Sequence, residues 1–339
     1  MSRVVVLGAT GHVGGYLVPR LASAGHEVIA VSRGISKPYR EHPAWKDVRR
    51  VTLDRDEGDA AGTFAGAIAD LRADIVIDMV CFASDSADQL IEALRGRIEL
   101  LLSCGTIWVH GPGAEVPTRE DDARNPFGDY GTQKARIEEL LLAESHRPGG
   151  LQSSVLHPGH ITGPGWAMVN AAGNFDLDVW HRLATGQSVA IPNLGLETVH
   201  HVHADDVAQA FQLALERPEA SAGSSYHVVS ERALTLRGIA TAAAGWFGRD
   251  ADLRYLPFED FKTATSSINA EATYDHISRS PSMSIDKAKR ELGYAPKYSS
   301  LQAIAEGLQW LISDGQLEVR GRVLDSRLRR GSVAGPLWK

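Results

Sequence analysis

A chain of 339 residues, with 43% apolar and 23% charged side chains, has enough material for one or two globular domains with a sizeable core. Its net charge of −7 gives no general basic field for nucleic acid or an anionic membrane, so small molecules are the expected partners. No apolar run reaches the length of a membrane span, Asp78 breaking the best candidate, and strand character begins too close to Met1 for a signal peptide, so a cytoplasmic protein is expected.

The β-branched run Val4–Leu7 predicts a buried parallel strand. It leads into Gly8-x-x-Gly11-x-x-Gly14 and an amphipathic helix through about Ser23. In such a turn Gly8 permits the tight bend, Gly11 lets backbone approach a pyrophosphate, and Gly14 allows the helix to pack closely on the strand. The free N–H groups and the positive dipole end of the helix favour a phosphate there. Further strands are predicted near Glu27–Val31, Arg50–Leu53, Ile75–Asp78, Leu100–Cys104 and Ser153–Leu156, with helical patterns between most of them. That alternation implies right-handed crossovers and a parallel, doubly wound α/β sheet. Cys81 and Cys104 fall in apolar runs and read as reduced core residues.

Val31-Ser32-Arg33-Gly34 closes the second strand. An acidic residue there would bind the adenosine ribose and repel a 2′-phosphate. Arg33 instead offers a guanidinium fork for phosphate, with Lys37 and Arg40 nearby, which favours NADP over NAD. Asp54, after the third strand, is placed either to accept from the adenine amino group or to cap a helix. Tyr130-Gly-Thr-Gln-Lys134 opens a helical run reaching Leu142, so Tyr130 and Lys134 share a face one turn apart. A neighbouring ammonium lowers a phenol's pKa, and such a pair can exchange a proton with a carbonyl or alcohol oxygen.

After Pro158 the segments become shorter and richer in Gly and Pro. A helix is predicted near Phe175–Ala184, a strand over Thr198–Val202, and helices over Ala204–Leu215 and Thr235–Trp246. Ser284 and Ser300 read as caps of two late helices, the second spanning Leu301–Ile312, stopped by Gly293 and Gly315. His201 and His203 alternate onto one strand face beside His200, but no third ligand with plausible spacing follows, so no metal is expected. The arginines at 320, 322, 327, 329 and 330 read as solvated surface.

Taken in order, Thr10-Gly11-His12-Val13-Gly14, Asp54, Ser103-Cys-Gly-Thr106-Ile-Trp-Val-His-Gly111, Tyr130-x-x-x-Lys134, His157-Pro-Gly-His-Ile-Thr-Gly-Pro-Gly165, His203-Ala-Asp-Asp-Val-Ala208 and Ser284-Ile-Asp-Lys-Ala-Lys-Arg-Glu-Leu-Gly-Tyr294 resemble the extended short-chain dehydrogenase/reductases of the NAD(P)-dependent epimerase/dehydratase type. The resemblance runs from the opening strand to about Leu311. It implies a Rossmann sheet of about seven strands with a smaller C-terminal substrate-binding domain. Residues 1–165, with a return segment 197–230, would form the cofactor domain, and 166–339 mainly the substrate domain.

It further implies that Thr106 orients the reacting oxygen, that Tyr130 is the acid/base, and that Lys134 lowers its pKa and binds the nicotinamide ribose. The glycine turn (Gly8, Thr10, Gly11, His12, Val13, Gly14), Ser32, Arg33, Asp54 and the stretch Pro158 to Ile161 would hold the cofactor. Trp108, His160 and Trp166 are candidates for the substrate pocket. The family's dehydratases carry Asp-Glu after the catalytic Thr, where this chain has Ile107-Trp108. Its sugar-nucleotide epimerases often carry Arg-Asp where Val199 and His200 stand, and Asn where His160 stands. These departures point to a small substrate without a diphosphate, sugar-derived compounds included.

An NADP-dependent oxidoreductase is therefore the first reading. An NAD-dependent epimerase is the second, and a catalytically silent NADP-sensing or RNA-binding relative the third. Substrate choice is expected to reside in loops at Trp166–Asn174 and Phe258–Ser280, and a homodimer is compatible with the family.

Overall fold

The computed structural model describes residues 1–319. Six strands follow one another as read: β1 (Arg3–Leu7), β2 (Glu27–Ser32), β3 (Arg49–Thr52), β4 (Ile75–Asp78), β5 (Leu100–Cys104) and β6 (Ser153–Pro158). With Ser224–Val228 they make a sheet of seven strands ordered Ser224–Val228, β6, β5, β4, β1, β2, β3. Every pairing in it is parallel.

Alternation along each strand feeds two cores. Val4 and Val6 point to one face, with Leu17 and Leu21 of the helix Gly14–Ser23 and Phe211 of the helix Ala204–Glu216. Val5 and Leu7 point to the other, with Ile68, Leu90, Ile137 and Leu141. Both faces are covered, as an all-parallel sheet requires. A third apolar cluster gathers Trp180, Leu183, Ile191, Ile239, Ile304 and Leu308, away from the sheet. The sheet order reverses direction between β1 and β4, and the crevice beyond the carboxyl ends of such strands is where this architecture binds ligands.

Several boundaries differ from those predicted. Thr198–Val202 is two strands, Thr198–Val199 paired with Leu234–Thr235 and His201–His203 paired with His160–Thr162. The seventh strand of the main sheet is Ser224–Val228, which carries no apolar alternation to announce it. Phe258–Ser280 is no loop: it holds the helices Phe258–Thr263 and Ser267–Ile277. Ser299, not Ser300, is the N-cap of the last described helix, closing a reciprocal box with Gln302. Ser284 accepts from the N–H of Asp286 at 3.1 Å, one residue outside the cap position held by Ile285. The arginines at 320 to 330 lie outside the described residues. Among the described residues no helix is long and apolar enough to cross a membrane.

Candidate active site

The first βα turn bends at Gly8, whose φ of +82° suits glycine. A Cβ there would lie 2.7 Å from Val80 Cγ1, and one on Gly14 would lie 2.3 Å from the carbonyl oxygen of Ala9. The turn is thus a cradle that side chains would fill. The N–H groups of Thr10, His12 and Val13 have no partner among the described residues, leaving donors for a phosphate.

A cleft of 660 Å³ opens over this turn. Gly8, Gly11, His12, Val13 and Gly14 form one wall, Pro158, His160 and Ile161 another, and Thr106, Tyr130 and Lys134 stand between them. Trp108 and Trp166 also line it. Thr10, Ser32, Arg33 and Asp54 are outside this lining. Arg33 is exposed and has no hydrogen-bond or ion-pair partner among the described residues. Arg40 lies over the Tyr16 ring at 4.4 Å, and Asp54 caps the helix Arg55–Ala60 by accepting from the N–H of Glu57 at 3.2 Å.

Tyr130 and Lys134 sit one turn apart on the helix Gly128–His146. Lys134 is buried, and its Nζ donates to the carbonyls of Cys81 and Cys104, both at 2.7 Å. Those carbonyls follow β4 and end β5, so the two strands fix the ammonium and leave it one N–H. Nζ lies 5.9 Å from the centre of the Tyr130 ring.

Thr106 follows β5, its Oγ1 accepts from the N–H of Trp108 at 3.3 Å, and it stands with Tyr130 in the cleft lining. Enclosure by the cleft pushes the Tyr130 phenol up to about 12; the nearby Cys104 thiol acts the same way, and the neighbouring Thr106 hydroxyl opposes both. Tyr130 lines the cleft and keeps 42% of its surface exposed. The upward shift runs opposite to the lowering predicted from Lys134, and it leaves the phenol neutral at neutral pH.

His12 stacks on Trp166 with ring centres 5.8 Å apart and bonds the Pro164 carbonyl at 3.0 Å, so the glycine turn and the loop after His160–Thr162 meet over the cleft. Burial lowers His12 to about 4 and His160 well below the ordinary imidazole value, and it lowers His276 as well. Motif reading missed Met79, Val80 and Phe82, on the loop after β4 beside the switch point, and Phe175, Asp275 and His276. The first three stand at a strand end that the topology marks; the last two come from a helix without a motif. His200, His201 and His203 each bond a separate backbone group, and no group of three metal-ligating side chains occurs among the described residues.

The model of the NAD dependent epimerase/dehydratase family matches residues 4–228. The 2'-dehydrokanamycin reductase of Streptomyces kanamyceticus is 27% identical over 257 residues, which span 76% of this chain and 70% of the reductase. The chloroplast stem-loop binding protein of 41 kDa b from Arabidopsis thaliana is 24% identical over 320 residues, 90% of this chain and 78% of that protein. Among solved structures, the UDP-glucose 4-epimerase of Thermotoga maritima has the same fold with a TM-score of 0.70 at 20% identity, over 92% of this chain and 99% of its own. MoeE5, solved with UDP-glucuronic acid and NAD, gives a TM-score of 0.69 at 20% identity over the same shares, 92% and 99%. With the glycine turn, most of the cleft lining and the Thr106–Tyr130–Lys134 set inside the matched region, the chain belongs to the NAD dependent epimerase/dehydratase family, the extended short-chain dehydrogenase/reductases.

Proposed function

We propose that this chain is an NADP-dependent oxidoreductase, moving hydride between NADP(H) and the carbonyl or secondary alcohol of a small substrate without a diphosphate. The observation that carries the reading is the convergence of Thr106, Tyr130 and Lys134 in the cleft that opens over the glycine turn. The nicotinamide cofactor, when bound, supplies or accepts the hydride. Tyr130 gives its proton to the substrate oxygen, Thr106 holds that oxygen in place, and the remaining N–H of Lys134 serves a ribose hydroxyl.

The choice of NADP rests on Arg33, exposed and unpaired where an acidic residue would exclude a 2′-phosphate. The choice of a small substrate rests on the cleft's charge. Among its lining residues Lys134 is the one lysine or arginine, the imidazoles of His12, His160 and His276 are held neutral, and Asp275 adds a carboxylate. Val199 and His200, where sugar-nucleotide epimerases often place Arg-Asp, are buried, and His200 spends its Nε2 on the carbonyl of Ser230 at 2.8 Å. The 2'-dehydrokanamycin reductase relative fits this reading; the epimerase neighbours speak to fold alone.

The test is titration calorimetry of the purified protein and Arg33→Ala with NADPH and NADH, followed by NADPH consumption with a panel of carbonyl compounds. An NADPH preference that the variant loses, together with turnover of free NADPH, is expected. NAD retained through purification without net cofactor consumption would establish the epimerase instead. Binding of a structured RNA with no turnover would favour the activity named for the chloroplast relative.

A further inference from the structure

The helix that carries Tyr130 and Lys134 carries Glu138 one turn further on, on the same face. Glu138 is buried in contact with His157 of β6, with Nε2 and Oε1 3.0 Å apart. The other ring nitrogen, Nδ1, accepts the backbone N–H of Thr106 at 3.0 Å. His157 is fully buried and Thr106 nearly so. An imidazole that accepts at Nδ1 and faces a carboxylate at Nε2 must carry its proton on Nε2, so the two contacts fix one tautomer.

Glu138 is clamped in turn. Arg124 donates to it through Nε at 2.9 Å and Nη2 at 2.6 Å. Burial alone would push this carboxyl up, but His157 and Arg124 together hold it well below the usual carboxylate range. Gly105 belongs to the same device. A Cβ at that position would lie 2.4 Å from Nδ1 of His157, so only glycine lets the ring reach the next residue's N–H.

We propose that His157 and Glu138 are positioning residues for Thr106: the carboxylate fixes the imidazole, the imidazole fixes the Thr106 backbone, and the Thr106 hydroxyl is thereby held against Tyr130. This rests on the reading of Thr106 and Tyr130 as the proton-handling pair. It makes one helix supply the acid, its neighbouring cation and, through β6, the alignment of the hydroxyl beyond β5. Neither His157 nor Glu138 lines the cleft, so their effect on chemistry passes through Thr106.

The experiment follows the Tyr130 ring by NMR in the full chain, with tyrosine labelled at 13Cζ and the signal assigned by Tyr130→Phe. Thr106→Val reports what loss of the hydroxyl does to that signal. His157→Gln keeps a donor toward Glu138 and loses the acceptor for Thr106, whereas His157→Asn keeps an acceptor where Nδ1 stood. Gly105→Ala pushes the ring off Thr106 while leaving His157 in the sequence, which covers the case in which a His157 variant does not fold.

The expected result is that His157→Gln and Gly105→Ala reproduce most of the Thr106→Val shift and that His157→Asn restores the wild-type signal. In 15N-histidine-labelled wild type, His157 should be the Nε2–H tautomer, and Glu138→Gln should release a mixture. A Thr106→Val shift that neither His157→Gln nor Gly105→Ala reproduces, or an Nδ1–H tautomer in the wild type, overturns the positioning role while leaving the Thr106–Tyr130 pair intact. A Tyr130 signal indifferent to Thr106→Val overturns both.

Discussion

Arg55 meets Asp78 beneath the cleft through one nitrogen, with Nη1 2.8 Å from Oδ1 and 2.7 Å from Oδ2 and both side chains buried. Asp78 ends β4, and its Oδ1 also accepts the N–H of Val80 at 3.1 Å. The loop so fixed delivers the Cys81 carbonyl to Lys134. Removing Arg55 leaves a buried carboxylate without its counter-ion, which costs about 3–5 kcal/mol. Arg55→Ala should therefore lower the denaturant midpoint steeply, while Arg55→Leu combined with Asp78→Leu should cost much less. Equal losses in the single and double variants would show that the pair acts only by packing.

The glycine turn admits a sharper contrast. Gly14→Ala brings a Cβ to 2.3 Å from the backbone carbonyl of Ala9, a contact that no rotamer relieves. It should destabilise the fold by about 1–3 kcal/mol and abolish NADPH binding. Gly25→Ala places its Cβ where nothing lies within 4 Å and bears only the cost of φ +91°, about 1 kcal/mol. Calorimetry should find NADPH affinity unchanged there. Equal cofactor affinity in the two variants would separate the turn from the cofactor.

Much of this was legible in the sequence, because the residues that make the site also make local structure. Gly8 and Gly14 announce a turn because backbone geometry demands them, and Tyr130 and Lys134 announce a shared face by spacing alone. The strand Ser224–Val228 was not legible: Ser225 and His227 are buried through hydrogen bonds, so the apolar alternation that marks a strand is missing. The helix Ser267–Ile277 hid for a similar reason. Its buried positions are Ala270, Thr273, His276 and Ile277, which make no apolar stripe, yet it brings Asp275 and His276 to the cleft. Glu138 and His157 escaped because their meaning lies in a contact between two elements.

The buried imidazoles set the acid limit of the fold. Burial holds His12, His110, His200 and His201 to about 4, and His160 and His227 well below their ordinary value. In the unfolded chain each titrates near 6.5. The unfolded state therefore binds more protons below that pH, and stability rises with pH through the window. The contribution is complete above about pH 6.5 and is lost as pH falls toward 4, at up to about 1.4 kcal/mol per pH unit for each group. Urea unfolding at pH 7.5 and 5.5 should show a large loss of stability, accompanied by proton uptake on unfolding. A flat profile across that interval would mean that the imidazoles are already charged in the folded protein.

Tyr130→Phe separates chemistry from binding. The ring stays in place beside Trp108 and Phe82, and Lys134 keeps both carbonyl bonds, so NADPH affinity and thermal stability should change little. What is lost is the proton donor, worth roughly 10²–10⁴ in turnover. Lys134→Met should act in the opposite way. It leaves the carbonyls of Cys81 and Cys104 unpaired in a buried site, each worth about 1–3 kcal/mol, and removes the cation from the cleft. It should lower both the melting temperature and cofactor affinity. Because the Tyr130 phenol is pushed up to about 12, the acid form persists through the neutral range, and carbonyl reduction should show no loss of Tyr130's proton between pH 7 and about 10. The paired measurements are NADPH affinity by calorimetry and NADPH oxidation with a carbonyl compound from the screen, for wild type and both variants across that pH range. Full turnover in Tyr130→Phe would transfer the acid role to another group.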